Sequence, residues 1–243
     1  MITDPLLMGP DPVATVRALV EGQRGESAST RSTAGDALDP LGDSPDEVGP
    51  FGKPGAPERL LPSSRWMLQW RDKVSSTRET YARLLALGPL PGVPVVVNDR
   101  VDLALALGHG VHLTEGSLPT RIARSLLPAN SLLGRSTHDL RSAVRAEAEG
   151  ADYVVFGPVF DTPSKRPYGA PLGLDALTET AGRLRIPVFA IGGIGPGEIP
   201  SCLGAGAHGV ALIRAVWSAA APADALEEIL GALAGGPGKQ QPS

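Results

Sequence analysis

The fold is decided by residues 93–127, VPVVVNDRVDLALALGHGVHLTEGSLPTRIARSLL, in which two short aliphatic runs alternate with two helical patterns. The runs Val93–Val97 and Gly110–Leu113 have the length and composition of buried strands. The segments Val101–Leu107 and Pro119–Leu127 carry apolar residues at helical spacing. Strands that alternate with helices are typical of βαβ units, in which the strands are parallel. The stretch therefore predicts two successive βα units.

The same alternation continues on both sides of this stretch. The further pairs of strand and helix are Trp66–Gln69 with Ser76–Leu87, Ser131–Gly134 with Asp139–Glu149, Tyr153–Phe156 with Leu174–Leu184, Pro187–Ile191 with Pro196–Gly204, and Gly209–Ile213 with Ala223–Leu233. Ile2-Thr3 and the helical pattern Pro12–Val20 precede them, which brings the count to about eight units. This count predicts an α/β fold, a single (β/α)8 TIM barrel. A doubly wound open sheet is the alternative, but the first strand is not followed by a G-x-G-x-x-G turn, which favours the barrel.

One segment, from about Arg24 to Ser64, interrupts the alternation. It is rich in Gly, Pro, Ser and Asp and shows no period, so we expect a disordered insertion between the first helix and the second strand. A mobile surface excursion and a functional segment are both open for it. Residues 235–243 predict a disordered tail, which leaves residues 1–234 for the barrel. Because the insertion joins a helix to a strand, we expect it at the face opposite the catalytic loops.

The composition limits the classes of function. The 22 basic and 26 acidic residues give a formal net charge of −4, without a basic block of the kind that binds nucleic acid or a membrane surface. No apolar run approaches the roughly 20 residues of a membrane helix, so a cytoplasmic protein is expected. The single cysteine, Cys202, excludes an internal disulfide, and with only four histidines we expect any metal to be bound by oxygen.

Basic and amide side chains gather where two of the predicted strands end. Strand alternation places Gln69, Arg71 and Lys73 on one side of an extended segment. A solvated charged loop is the commoner setting for a lone Arg-x-Lys sequence. Asn98 and Asp99 follow the next strand, where they combine an amide with a carboxylate suited to Mg²⁺. A helix N-cap explains Asp99 equally well.

The strand that ends at Gly134 is followed by Ser136, Thr137 and His138. Either hydroxyl is able to cap the next helix, and we expect Thr137 to do so. His138 then lies in the first turn of that helix.

The last three strand ends offer hydroxyl groups, cations and glycine backbone, a combination that suits a phosphate. Barrels often bind phosphate through backbone N–H groups after their last two strands. The groups in question are Thr162, Ser164 and Lys165 after the first of these strands, Gly192-Gly193 after the second, and Ile213-Arg214 after the third. We therefore expect an anion site here.

In these motifs the chain resembles the thiamine-phosphate synthases and their close relatives, the thiazole tautomerases. The resemblance covers nearly all of the chain outside the insertion and the tail, and its motifs occur in the family's order and at its strand ends. The motifs are Gln69-x-Arg71-x-Lys73, Asn98-Asp99-Arg100-Val101-Asp102, Gly134-x-Ser136-x-His138, Gly157-Pro158-Val159-Phe160-x-Thr162-Pro163-Ser164-Lys165 and Ile191-Gly192-Gly193-Ile194.

The resemblance implies a transferase of thiamine biosynthesis that couples a hydroxymethylpyrimidine diphosphate to a thiazole phosphate and releases pyrophosphate. It implies Mg²⁺ as the cofactor, held by Asp99, and small phosphorylated substrates as the partners. Ser136 would contact the pyrimidine. The implied diphosphate ligands are Gln69, Arg71, Lys73, Asn98 and Lys165, and the implied thiazole phosphate ligands are Thr162, Ser164, Gly193, Ile213 and Arg214. The candidate catalytic residues are Arg71, Lys73, Ser136, His138 and Lys165.

The chain departs from the family pattern at three places. Ser117 stands where the synthases usually have a second Mg²⁺ carboxylate, so we take Ser117 as the second metal position, with Glu115 able to reach through a water. Arg214 replaces a small hydroxyl residue. The chain also begins within the family's first strand, as if the assigned start were late.

Two other functions are open on the same resemblance. A thiazole tautomerase is the second hypothesis, since that branch tolerates the loss of metal carboxylates and uses a histidine at the place of His138. A barrel that only binds thiazole or pyrimidine phosphates is the third. The presence of Asn98, Asp99, Lys73 and Lys165 favours the synthase.

Overall fold

The computed structural model describes residues 2, 11–29, 66–163, 166 and 169–235, and in these ranges strands alternate with helices. The strands are β1 (Leu68–Trp70), β2 (Val95–Asn98), β3 (Gly110–Leu113), β4 (Leu133–Thr137), β5 (Tyr153–Phe156), β6 (Val188–Ile191) and β7 (Gly209–Ala211). The helices are α1 (Pro12–Ser29), α2 (Thr77–Leu87), α3 (Val101–Leu107), α4 (Thr120–Leu126), α5 (Leu140–Ala148), α6 (Gly173–Arg183), α7 (Ile199–Gly204), α8 (Arg214–Trp217) and α9 (Pro222–Ala234). Within the described ranges, none of these helices has the length and apolarity to cross a bilayer.

The seven strands form one parallel sheet in the order of the chain, β1 to β7. Neighbouring strands pair in register, from Leu68 opposite Val95 at one edge to Ile191 opposite Ala211 at the other. Most strand residues are buried, because helices cover one face of the sheet and side chains fill the other. All seven strands therefore present their carboxyl ends at the same rim, and the predicted site residues among the described ranges lie at this rim.

The strand predicted at the start of the chain is not found among the described residues. The expectation of a closed eight-stranded barrel is therefore corrected. Where that strand was expected, Ile2 alone forms a parallel bridge to Gln69, and its N–H donates to the Leu212 carbonyl oxygen at 2.9 Å. The Trp217 indole N–H donates to the Ile2 carbonyl oxygen at 2.7 Å. One residue supplies one bridge and no ladder, so the described sheet is a TIM-like half-barrel. Ile2 contacts both of its edges, through Gln69 on β1 and through Leu212 just after β7.

Most predicted elements agree with the structure to within a few residues, with two exceptions. Helix α1 continues to Ser29, so residues 24–29 of the predicted insertion are helical. The rest of that insertion and the tail from residue 236 lie outside the described residues. The four-residue helix α8 at Arg214 has no counterpart in the prediction.

A buried polar side chain, His112 on β3, lies near the centre of the sheet. His112 is 1% exposed, with Nε2 2.8 Å from Ser136 Oγ and Nδ1 3.1 Å from Tyr153 Oη. Burial lowers the pKa of His112 from 6.5 to about 4, so the ring is neutral near pH 7, with one nitrogen donating and the other accepting. The Tyr153 ring lies directly over Gly134, where a Cβ atom would fall 2.1 Å from Tyr153 Cζ.

We expect the burial of neutral His112 to make the stability depend on pH between about 4 and 6.5. In that window the unfolded chain binds a proton that the folded chain does not, so the free energy of unfolding rises with pH, by ~3 kcal/mol across the window. His112→Gln keeps polar groups but cannot titrate, so its melting temperature should change less between pH 4.5 and pH 7. The pKa values of Asp72 and Asp99 are lowered from 3.8, away from the window, and His109, whose pKa burial also lowers, contributes equally to both proteins. Equal pH dependence in the two proteins would contradict this assignment.

Candidate active site

A row of hydrogen bonds joins the carboxyl ends of β1 and β2. The Gln69 side-chain Nε2 donates to Asn98 Oδ1 at 2.8 Å, and Asn98 Nδ2 donates to Asp99 Oδ2 at 3.1 Å. Gln69 is 5% exposed, so its amide is fixed below the rim, while Asp99 is exposed at the end of the row. The structure thus brings together three residues that the sequence placed at neighbouring strand ends.

Asp99 has a backbone conformation that turns its carboxylate toward the loop after β3. Its φ of +56° is in the left-handed region, and it is the single non-glycine residue with a positive φ in the part of the chain that the structure describes. Its carboxylate accepts hydrogen bonds from the Thr114 N–H and the Thr114 hydroxyl, both at 2.8 Å, and from the Ser117 hydroxyl. Helix α3 begins after Arg100 without a side-chain cap, so the alternative role of Asp99 as an N-cap is wrong.

The Asp99 carboxyl is ionised in this setting. Partial burial raises its pKa, but the hydrogen bonds from Ser117 and Thr114 outweigh that effect and hold the pKa below the usual 3.8. The site therefore keeps a fixed negative charge at the rim near neutral pH.

The loop that carries Ser117 is anchored from a neighbouring strand. Ser117 Oγ accepts the Thr114 N–H at 2.8 Å while its own hydrogen goes to Asp99. Arg135 on β4 donates to the carbonyl oxygens of Leu118 at 2.7 Å and Glu115 at 3.0 Å. Sequence reasoning missed Arg135, since it occupies an unspecified position of the Gly134-x-Ser136-x-His138 motif, just beyond the predicted strand.

The metal-binding groups around Asp99 fit a cation whose other ligands come from the substrate and from water. The described ranges contain no cluster of three or more His, Cys, Asp or Glu side chains that could hold a metal by themselves. Mg²⁺ is commonly bound by one or two carboxylates, with substrate phosphates and waters completing its shell. An ionised, exposed Asp99 meets that requirement, whereas Ser117 serves here to orient Asp99.

A buried ion pair fixes the loop that carries Arg71 and Lys73. The side chain of Asp72 is fully buried and accepts from Arg83 Nη1 on α2 at 2.8 Å. It also accepts the N–H groups of Val74 and Ser75, at 3.1 and 3.0 Å. Burial raises the pKa of Asp72, but its bonds to Ser75 and the other donors leave the net pKa below its usual value. Lys73 remains exposed on a loop whose conformation is set.

The residues after Gly134 divide into different roles. Ser136 lies on β4 and meets His112, as described above. Thr137 was expected to cap α5, and this is wrong, because Asp139 caps the helix by accepting the Ser142 N–H at 2.7 Å. The buried Thr137 hydroxyl has no hydrogen-bond partner among the described residues. His138 Nδ1 donates to the Gly157 carbonyl oxygen, and its Nε2 lies 3.8 Å from Glu115 Oε2.

The predicted phosphate region is described in part. Gly193 has a φ of +66°, and a Cβ atom there would lie 2.5 Å from the Asp161 carbonyl oxygen, so a glycine lets the loop after β5 rest on the loop after β6. Thr162 is half-buried at this contact, while Ile213 and the exposed Arg214 begin α8. Ser164 and Lys165 lie outside the described residues.

The chain is similar to known proteins over most of the described strands and helices. The family model described as thiamine monophosphate synthase matches residues 56–216. A putative thiamine-phosphate synthase of Geobacter sulfurreducens is 48% identical over 143 residues, which are 58% of this chain and 67% of that protein. The thiamine-phosphate synthase of Chloroflexus aurantiacus is 43% identical over 166 residues, 67% of this chain and 76% of that protein.

A solved structure is similar to this chain in fold as well as in sequence. The thiamine phosphate pyrophosphorylase of Pyrococcus furiosus superposes with a TM-score of 0.71 at 29% identity, over 96% of this chain and 94% of that one. The matched family model spans β1 to β7, the same elements whose carboxyl ends carry the Gln69, Asn98 and Asp99 row. The chain therefore belongs to the thiamine monophosphate synthase family.

Proposed function

We propose that this protein is a thiamine-phosphate synthase, which couples a hydroxymethylpyrimidine diphosphate to a thiazole phosphate and releases pyrophosphate. The observation that carries the proposal is the hydrogen-bonded row of Gln69, Asn98 and Asp99 beside the Asp72-anchored Lys73. The row offers fixed amides, a carboxylate and a cation at one rim. A diphosphate with its counterion has that complement of charge and hydrogen bonding.

The reaction needs a site that stabilises a leaving anion. The bond between the pyrimidine methylene carbon and the diphosphate oxygen breaks, and its electron pair leaves with pyrophosphate. The aromatic pyrimidine delocalises the resulting positive charge, and the thiazole nitrogen then forms the new C–N bond. No protein nucleophile is required. The negative charge that gathers on the leaving group is what Arg71, Lys73 and Lys165 stabilise, more strongly in the transition state than in the ground state.

Mg²⁺ is part of the proposal as the counterion of the diphosphate. Asp99 would hold the ion, with Ser117 and Thr114 fixing the carboxylate, and Glu115 would act through a water. When bound, the ion neutralises charge on the diphosphate oxygens. Asn98, which donates to Asp99 and accepts from Gln69, keeps that carboxylate at the end of the row.

The two substrates are bound at opposite sides of the rim in this proposal. Ser136 contacts the pyrimidine, and neutral His112 behind it fixes the direction of the Ser136 hydroxyl. The thiazole phosphate is received across the later loops. Its ligands are Thr162, Ser164, Gly193 and the Ile213-Arg214 backbone, with Arg214 as an added cation.

Two further expectations belong to the proposal. Residues 1–234 form one domain, and the segment from residue 30 to residue 64 is an insertion at the face opposite the rim. The cellular location is the cytoplasm, as the composition suggests. The tautomerase and the binding-only barrel are not favoured, since the similar proteins named above are synthases or a pyrophosphorylase.

The proposed activity is tested by incubating the purified full chain with both phosphorylated substrates and Mg²⁺. We expect thiamine phosphate and pyrophosphate in equal amounts, measured by chromatography and by a coupled pyrophosphate assay. A chain that makes no thiamine phosphate but isomerises a thiazole carboxylate phosphate would be a tautomerase, and the proposal would be wrong.

Removal of either lysine that is proposed to stabilise the leaving pyrophosphate should slow the reaction. Lys73→Ala and Lys165→Ala should each lower kcat/KM by about 100-fold or more, because each removes a charge that acts on the departing pyrophosphate. Lys239→Ala, in the predicted tail, is the matched control and should keep the full rate. If His138→Ala is instead the most damaging change and both rim lysine variants stay active, the assignment of these lysines is wrong.

The metal site should be present but weak, because it has one well-placed carboxylate. Excess EDTA should abolish thiamine phosphate formation. Ser117→Asp adds a second carboxylate and should lower the Mg²⁺ concentration for half-maximal rate, and it should tighten Mn²⁺ binding by the free protein in calorimetry. Ser117→Ala, which removes the hydrogen bond to Asp99, should do the opposite. Unchanged Mn²⁺ affinity in both variants would show that position 117 does not influence the metal.

A further inference from the structure

The turn after β3, residues 114–117, supplies three of the donors that fix the Asp99 carboxylate. The Ser117 N–H donates to the Thr114 carbonyl oxygen at 3.0 Å and closes the turn. The Thr114 N–H, the Thr114 hydroxyl and the Ser117 hydroxyl then donate to Asp99. The direction of this carboxylate therefore depends on where the turn lies.

The turn has little packing of its own. Glu115 and Gly116 are exposed at its tip. Among the described residues, a Cβ atom added at Gly116 would meet no heavy atom within 4 Å apart from its chain neighbours. Leu118, which follows the turn, is 46% exposed. Because loops with few contacts move easily, the turn needs support from another element to stay in one position.

Arg135 supplies that support from β4. Its Nη1 donates to the Leu118 carbonyl oxygen at 2.7 Å, and its Nη2 donates to the Glu115 carbonyl oxygen at 3.0 Å. The planar guanidinium thus spans the turn with two bonds. Strand alternation puts Arg135 on the opposite face from Ser136, whose hydroxyl meets His112. Arg135 therefore acts on the rim through the turn.

The charge of Arg135 is not used for an ion pair. No carboxylate oxygen of the described residues lies within 4 Å of its guanidinium, whereas Arg83, Arg124 and Arg145 each have one. Burial lowers the pKa of Arg135, and the Asp99 carboxylate acts on it in the opposite direction, so the two charges interact. A cation at Asp99 would be repelled by this guanidinium. Any effect of Arg135 that favours the cation must therefore come from geometry.

We propose that Arg135 is a positioning residue of the metal site, whose guanidinium holds the turn so that the Asp99 carboxylate keeps its direction before a cation arrives. The inference rests on the proposed function for the identity of the cation. It adds to that function a residue that touches neither the cation nor the substrates. Residues that orient a metal ligand in this way typically change metal affinity by about 10–100-fold.

The test measures Mn²⁺ binding by the full chain in calorimetry, without substrates. Arg135→Gln should weaken binding by about tenfold, although it removes a positive charge that repels the ion. Arg135→Lys keeps the charge but loses the planar fork that spans two carbonyl oxygens, so it should weaken binding as well. Arg145→Gln is the matched control, since it removes a guanidinium that is 67% exposed on α5, and it should leave the affinity unchanged.

Two further measurements separate positioning from a role in stability alone. In Arg135→Gln, the backbone amide hydrogens of Thr114 and Ser117 should exchange faster with solvent, while those of β5 keep their rates. The Mn²⁺ affinity lost by the double variant with Ser117→Ala should be smaller than the product of the two single losses, because both changes act through Asp99.

The outcomes keep this inference separate from the proposed function. Tighter Mn²⁺ binding by Arg135→Gln would show that the charge of Arg135 governs the site, and the inference would be wrong. A lower melting temperature with unchanged Mn²⁺ affinity, or no Mn²⁺ binding by the unsubstituted chain, would also overturn it. Thiamine phosphate formation decides the proposed function by itself. A chain whose Mn²⁺ affinity depends on Arg135 but which makes no thiamine phosphate would keep the inference and lose the activity.

Discussion

The candidate site depends on the ionised carboxylate of Asp99. Three donors from the loop after β3 converge on it, and Asn98 reaches it from its own strand. These bonds hold the ends of β2 and β3 in a fixed relation, and Gln69 extends the relation to β1. The left-handed backbone at Asp99 costs free energy that only a network of this kind repays. A neutral residue at position 99 would leave these four hydrogen-bond donors without a charged acceptor.

The loop after β1 is stabilised by different means, and the contrast explains why Lys73 can stay exposed. The Asp72 carboxylate is fully buried and uses all of its partners for structure, so removal of Arg83 would leave an uncompensated buried charge. The pair of Arg145 on α5 and Glu149 just after it has the same length of 2.8 Å but contributes less, because the Arg145 side chain is 67% exposed and water screens its charge. Burial of one charge thus frees its neighbour, Lys73, to face solvent and a ligand on a rigid loop.

Most of the fold followed from the sequence because parallel strands that are buried on both faces are written as short aliphatic runs, as at Tyr153–Phe156. The first strand could not be judged in this way, since a single residue, Ile2, makes the pairing and one residue has no pattern. The row of Gln69, Asn98 and Asp99 was predictable from strand ends, whereas Asp72, Arg83 and Arg135 were not. Their partners are backbone groups and distant side chains, which depend on how loops fold and leave no periodic signal.

His112 and Tyr153 were missed for a related reason, because each sits inside an aliphatic strand and looks like core. Their contacts link four positions, so that a change at one affects the others. Gly134 leaves space for the Tyr153 ring, Tyr153 gives His112 its second partner, and His112 reaches Ser136. A larger residue at position 134 requires a smaller one at position 153. Without the Tyr153 hydroxyl, His112 Nδ1 loses its hydrogen-bond partner. In relatives of this chain, these positions should therefore vary together or not at all, and a single exchange at any one of them should be the rarest kind of difference.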